Sequence, residues 1–461
     1  MLFRSLNDRE NDVSLSYLRS VFSKEPAPAA STAAKDTLRS RLFDKSVDAL
    51  ITERHVANKI LHSEHDQIVF RLKKRLLHFR ILLRSLNQGR VNSLRSILNG
   101  IISDASENEV YDVLIEALTL KKQFVGIRSG IKEFEKIDKE INVFETHYRS
   151  ALFANDAYYK LILNNNLLKS YSKEQFRKTL TAIIRKLKKD YAQTRSEQVN
   201  YYLHLILLIY NERNKKYGLA IKYCNQLIAL INKSKVMYRK ERIGFALDNL
   251  SQYKTFAGKF QAAAKDSIRA QSYYLENSYN YLASKGQEFH VYFYHQKYDK
   301  ALKCTEELLE HSLSNAGKFR ASKFIYYKAC VLFVMGDFLA ALSLLNKSME
   351  IEKDKGGWNL SLRILIILIF IELNRIDEAS TTLESLRKSI ERTAKNDEVT
   401  PRDIIIVKLL RAMEKNEFRY NPKALNQLKM WSALSEKNKQ YSWEYYTPEL
   451  VPFHKWVEGR K

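Results

Sequence analysis

Proline is nearly absent from the body of this 461-residue chain. Its six prolines are Pro26, Pro28, Pro401, Pro422, Pro448 and Pro452, so the 372 residues from Ala29 to Thr400 contain none. Proline removes a helical donor and clashes with the preceding turn, and its absence over that length favours helix throughout. Glycine is also scarce, at 13 residues. The three cysteines, Cys224, Cys304 and Cys330, form no C-x-x-C pair and sit in apolar helical pattern. That argues for a reducing compartment and ordinary core roles, without a paired-cysteine metal site. The longest apolar run, Ile364 to Ile371, is eight residues, against the roughly 20 needed to cross a bilayer. Charged residues Arg4, Asp8, Arg9, Glu10 and Asp12 stand where a signal peptide would be apolar. A cytoplasmic, non-membrane protein is expected. No Gly-rich phosphate loop, G-x-S-x-G or H-E-x-x-H occurs, so no enzyme class and no cofactor is indicated.

Acidic residues are in deficit, 52 against 77 basic, for a net charge of +25. The surplus is uneven. Residues 51–100 carry 10 basic and 3 acidic residues, and residues 151–300 carry 26 and 11, whereas 301–400 are balanced at 14 and 14. With 45% hydrophobic residues, 27 Tyr and 22 Phe, the chain has ample material for a packed core, and disorder is not expected.

What is present is a recurring alanine. The register reads Gly258-x-Phe260-x-x-Ala263, Tyr298-x-x-Ala301, Gly336-x-Phe338-x-x-Ala341 and Ile376-x-x-Ala379, with alanines 38, 40 and 38 residues apart. Tyr217-x-x-Ala220, 43 residues before Ala263, reads as a first unit. A recurrence of this size marks a solenoid of stacked helical hairpins, each burying its face on the next. The alanine lets two helices approach, and Leu345 and Met349 or Leu383 and Leu386 fill the groove beside it.

Met335-Gly336-Asp337-Phe338-x-x-Ala341-x3-Leu345-x2-Ser348 resembles the second helix of a tetratricopeptide repeat, with Ala329 at the small-residue site of the first helix. The resemblance spans about residues 200–392, five units. It lacks the consensus Trp and terminal Pro, and its spacing of 38–43 resembles the longer-helix variants of bacterial regulatory proteins; the aromatic, proline-containing close from Tyr441 to Trp456 resembles that of uncharacterised bacterial tetratricopeptide proteins. It implies an all-α, right-handed α-solenoid whose first helices line a concave groove. Counting back from the alanines, that groove would present Asp248, Asn249 and Gln252, then His290 and Tyr294, then Tyr326, Tyr327 and Cys330. Amides, hydroxyls and rings mixed in this way suit an extended or helical peptide. The Lys and Asn clamp of the family's chaperone-tail binders is not matched, because its sites carry Asp248, Gln252, Gly286, His290, Tyr326 and Cys330.

The flanking segments divide as follows. An amphipathic stretch occupies residues 1–22, a Pro/Ala/Ser linker 23–36, and an N-terminal helical region 37–195. Its patterns break at Gly89 and Gly100, Asp104 and Ser106 start a helix through Leu118, and a long pattern runs from about Ile127 to Phe153. The repeats fill 196–392. Residues 393–461 supply C-terminal capping helices, one opened by Asn421-Pro422, and an aromatic tail expected to fold back over the last hydrophobic face.

Two basic helices stand out: Arg71, Lys73, Lys74, Arg75, Arg80 and Arg84 in one, Arg185, Lys186, Lys188 and Lys189 in the other. Such clusters suit an acidic protein or peptide, or nucleic acid through 71–95 and 177–189, or else are solvated faces whose stems cover the core. His55, His62, Glu64 and His65 form an incomplete metal set and read as surface histidines. The leading expectation is a non-enzymatic scaffold or adaptor that binds protein or peptide in the groove. The alternative is a peptide-sensing regulator whose N-terminal helices act on a transcription or phosphorelay partner.

Overall fold

A computed structural model describes residues 41, 63–85, 91–163, 173–315, 318–347, 357–393, 399–419, 431–432, 434 and 441–460. The regular structure there is entirely helical, with seventeen helices among the described residues. The leading amphipathic stretch, the linker, His55, His62, Gly89, Met349 and the Asn421-Pro422 cap lie outside the described residues. The chain forms two compact units, residues 1–145 and 146–461.

In the first unit, α1 (Glu64–Ser85), α2 (Val91–Glu107) and α3 (Tyr111–Ser129) pack together, and α4 (Ile131–Leu163) begins. Gly100 does not break a helix. It lies inside α2, where a Cβ would come within 2.8 Å of Arg75 Nη2, so the glycine makes room for that guanidinium. Asp104 and Ser106 close α2 instead of opening α3, and Asp104 pairs with Arg75 at 2.5 Å. The pattern from Ile127 is interrupted at Gly130, whose φ of +81° ends α3 and lets α4 start afresh.

In the second unit α5 (Lys173–Thr194) leads into five hairpins. They are α6 (Glu197–Arg213) with α7 (Tyr217–Lys233), α8 (Lys240–Phe256) with α9 (Phe260–Gln271), α10 (Tyr279–Tyr294) with α11 (Tyr298–Asn315), α12 (Lys318–Val334) with α13 (Phe338–Lys347), and α14 (Trp358–Glu372) with α15 (Ile376–Thr393). Each helix contacts the next, and first helices also meet across repeats, α8 on α10 and α12 on α14. The register alanines Ala220, Ala263, Ala301, Ala341 and Ala379 are all fully buried on the second helices. Leu345, Leu383 and Leu386 beside them are buried too, each contributing about 2 kcal/mol of apolar burial.

The hairpin turns repeat one backbone device. Five residues before each alanine the chain is left-handed, at Lys215, Gly258, Gln296, Gly336 and Asn374, with φ of 55°, 71°, 58°, 85° and 55°. The next N–H then reaches back five residues: Lys216 to Asn211 O, Lys259 to Lys254 O, Lys297 to Tyr292 O, Asp337 to Leu332 O and Arg375 to Phe370 O, all at 2.8–2.9 Å. This closes the last carbonyls of each first helix. The register residue Tyr217, Phe260, Tyr298, Phe338 or Ile376 then begins the second helix. The same turn appears in the first unit, where Val110 N–H bonds Ala105 O and Glu109 has φ of 51°.

After the repeats, Thr400 and Asp403 form a reciprocal capping box with Pro401 at the first turn of α16 (Pro401–Glu414). Residues 441–460, which include α17 (Phe453–Gly459), bury Leu450, Phe453 and Val457 in the cluster built by α10–α16.

Candidate functional site

The row of first helices is occupied by the chain itself. Tyr294 OH on α10 accepts the backbone N–H of Tyr446 at 2.8 Å, and Tyr326 OH on α12 donates to Pro448 O at 2.8 Å. Gln287, one turn before His290, donates to Tyr446 OH at 2.5 Å. Two tyrosine hydroxyls thus hold the main chain of a turn-containing segment while neighbouring rings hold its side chains. Tyr294 lies 4.7 Å from the Tyr445 ring and 5.7 Å from Trp443, and His290 lies 5.0 Å from Tyr446. Tyr446 adopts φ of 63°, a left-handed conformation disfavoured for a tyrosine.

The segment is anchored at both ends. Near its start, Lys215 Nζ pairs with Glu444 at 2.6 Å. Further on, the buried Arg402 grips Glu449 through two bonds, Nε at 2.5 Å and Nη2 at 2.9 Å. It also donates to Tyr441 O and meets His454 Nδ1. Burial pushes the Glu449 carboxyl above its usual range, opposed by the Arg402 bonds. Trp443 Nε1 closes the loop by donating to Glu449 O at 2.8 Å. The tail therefore extends well beyond the last hydrophobic face, as far as Phe256, whose ring lies 5.4 Å from Tyr446.

The residues singled out in the sequence divide into three groups. His290, Tyr294, Tyr326 and Tyr327 come together beneath the tail, with His290 Nε2 3.1 Å from Tyr327 OH. Burial, with Lys323 nearby, lowers the His290 pKa to about 3, so the ring is neutral and its Nδ1 has no hydrogen-bond partner. Cys330 is fully buried, and burial drives its thiol pKa upward. Asp248 points into the repeat packing. It accepts from Ser284 Oγ at 2.6 Å and Tyr274 OH at 2.9 Å, and burial lifts its carboxyl to about 7 despite those bonds. Gly244, one turn earlier on α8, leaves space for the Tyr274 ring. Asn249 and Gln252 are half-buried, Asn249 donating to Phe245 O at 2.7 Å; with exposed Phe245 they form a stripe at i, i+4 and i+7 on α8. Sequence reasoning missed Gln287, Arg402 and Glu449. Their only trace was position: Gln287 is one turn from His290, Arg402 lies between Thr400 and Asp403 of a capping box, and Glu449 is one of few acids in the tail.

The two basic clusters belong to different compact units. In the first, Lys73, Arg75 and Arg80 pair with Asp112, Asp104 and Glu116 at 3.0, 2.5 and 2.7 Å. Arg71 and Lys74 are exposed, and the Arg84 side chain lies outside the described residues. In the second, Lys186 pairs with Asp190 and covers the Phe153 ring, while Arg185, Lys188 and Lys189 are exposed. His65 is 2.8 Å from Asn108 O, and no metal-competent cluster of His, Cys, Asp and Glu occurs among the described residues. No helix among them is long and apolar enough to cross a membrane.

No family model and no curated protein matches the chain. Among solved structures it is similar to the apo form of RapI, at 13% identity and TM-score 0.47, over 84% of this chain and 99% of that one. It is also similar to a Rap protein complexed with competence and sporulation factor, at 12%, TM-score 0.41, 85% and 100%. A signal-transduction ATPase with a tetratricopeptide repeat sensor from Pyrococcus horikoshii follows at 13%, TM-score 0.45, 75% and 53%. At these values none of the three assigns a role to any residue here. The hairpins themselves, with a buried small residue at one register position and one recurrent turn, decide the architecture. The repeats are tetratricopeptide-like.

Proposed function

We propose that this chain is a non-enzymatic, cytoplasmic scaffold or adaptor that binds protein or peptide segments along the first helices of its tetratricopeptide-like repeats. The observation that carries this reading is the tail. Tyr294, Tyr326 and Gln287 already hold a turn-containing segment through its backbone and rings, which is the chemistry of peptide recognition. The tail lies on the row from Phe256 at the end of α8 to Tyr326 and leaves Phe245 exposed and Asn249 and Gln252 half-buried earlier on α8, so a partner docks there. Phe245→Ala/Asn249→Ala/Gln252→Ala, all at exposed or half-buried positions, tests this against the intact chain in pull-downs from native extract. A protein retained by the intact chain and lost by the triple variant supports the scaffold reading; equal recovery on both refutes the stripe.

A regulatory role for the N-terminal helices is favoured by one observation, the separate compactness of residues 1–145. Removing them would then abolish output and leave partner capture on the repeats intact. Nucleic-acid association is less well supported, because three cations of the 71–84 cluster are already paired with carboxylates. If nucleic acid is nonetheless the ligand, binding falls steeply with salt.

A further inference from the structure

The tail does more than fill the row. Where first helices end and second helices begin in the third to fifth repeats, it walls off a pocket of about 630 Å³. That volume suits a small organic molecule or a single large side chain. Tyr298 and Phe338 of the register form one wall, and Trp443, Tyr445 and Trp456 of the tail form the other. All five rings are half-buried.

The polar groups narrow the occupant. Both indole N–H groups are spent internally, Trp443 on Glu449 O and Trp456 on Glu372 Oε1 at 2.8 Å. The donors with which an aromatic groove holds proline-rich backbone are therefore not on offer. The one acidic side chain lining the pocket, Glu372, already accepts from Trp456 and has Arg460 Nη1 at 3.5 Å, so it does not select a cation. What remains is positive. Arg460 lies over the Trp456 ring, and its buried Nη1 has no hydrogen-bond partner. Lys455 is exposed, 5.9 Å from the Trp443 ring centroid. Two cations against one committed carboxylate leave the pocket with an excess of one positive charge.

We infer that this pocket binds a carboxylate carried on an aromatic body, the ring between Phe338 and the tail indoles and the carboxylate on Arg460 and Lys455. The same chemistry can come from a free aromatic acid or from the last residue of a peptide. The site is distinct from the α8 stripe, so each can fail while the other stands.

The test is calorimetric titration of the full chain with N-acetyl-L-tryptophan and with its uncharged amide. The acid should bind with one site, and the amide about tenfold more weakly or worse, as loss of a charge-assisted hydrogen bond entails. Lys455→Gln, at an exposed position, should weaken the acid and leave the amide unchanged. Phe338→Ala should weaken both, with melting temperature and helicity checked alongside. Equal binding of acid and amide, no binding of either at millimolar concentration, or indifference to Lys455→Gln would overturn the inference. A hexapeptide, Gly-Ser-Gly-Ser-Gly-Trp, with a free or amidated terminus identifies the source. Binding of the free-terminus peptide at least as tight as that of the single residue points to a peptide end. Binding of the single residue alone points to a free acid.

Discussion

Replacing Arg402 with Met should release the C-terminal segment. Arg402 is 9% exposed and Glu449 10% in their side chains, so both charges are held away from water. The substitution removes both bonds to Glu449 together with those to Tyr441 O and His454. Glu449 keeps the Phe453 N–H, at 2.8 Å. Leaving a buried carboxylate without its cation costs about 3–5 kcal/mol, more than the pair itself contributes, because the remaining charge is desolvated and uncompensated. Repeat arrays unfold in parts, so the loss is expected locally first. Amide exchange over 441–460 should accelerate by about two to nearly four orders of magnitude, and emission from Trp443 and Trp456 should shift to the red. Adding Glu449→Leu to Arg402→Met should restore at least half of the lost stability, since the orphan charge is then gone. A loss below about 1 kcal/mol, or exchange unchanged in this segment, would refute the view that this pair holds the tail on the row.

Glycine substitutions should have opposite signs at two helical positions. At Gly244 a Cβ would lie 2.6 Å from Tyr274 Cζ, so Gly244→Ala should lower stability by about 1–3 kcal/mol. At Gly286 on α10 nothing lies within 4 Å, so Gly286→Ala should raise it by about 0.5–1 kcal/mol; urea midpoints read both. Gln296→Gly, at φ of 58°, should stabilise by up to about 1 kcal/mol, relief of left-handed strain exceeding the added chain entropy. Asp248 titrates near 7 in the folded chain against an ordinary 3.8. The folded state therefore holds its proton more tightly, and stability falls as pH rises from about 4 to about 7, by at most about 4 kcal/mol. Asp248→Asn should flatten that part of the stability–pH curve and be the more stable form at pH 8; a curve of unchanged slope would contradict the assignment.

The repeat was legible because its signal is local. A residue small enough for two helices to meet must recur wherever they meet, and Ala220 through Ala379 do so in sequence as in space. The turn was legible only in part. Gly258 and Gly336 announce a left-handed residue, but Lys215, Gln296 and Asn374 adopt the same conformation because closing the helix end with a backward hydrogen bond requires it. Gly100 and Asp104 misled for a related reason: a glycine that admits a neighbour's side chain and an acid that ends a helix look locally like a break and a start. Register placed His290, Tyr294, Tyr326 and Tyr327 on first helices, yet what covers them there was not legible. Tyr446 reaches Tyr294 across 152 positions, and nothing in the local pattern of either one encodes that meeting. Arg402, one of 77 basic residues, becomes distinct only once Glu449 is folded against it.

The central claim is that the accessible face of α8 is where a partner docks. A photo-crosslinking amino acid placed at position 249 of the full chain, irradiated in native extract, tests it most directly, with position 268 on the exposed surface of α9 as the control. The scaffold reading predicts a discrete protein adduct from 249 that is absent from 268 and disappears when Phe245 and Gln252 are changed to Ala. Adducts of equal yield from both positions, or none from 249, would contradict it.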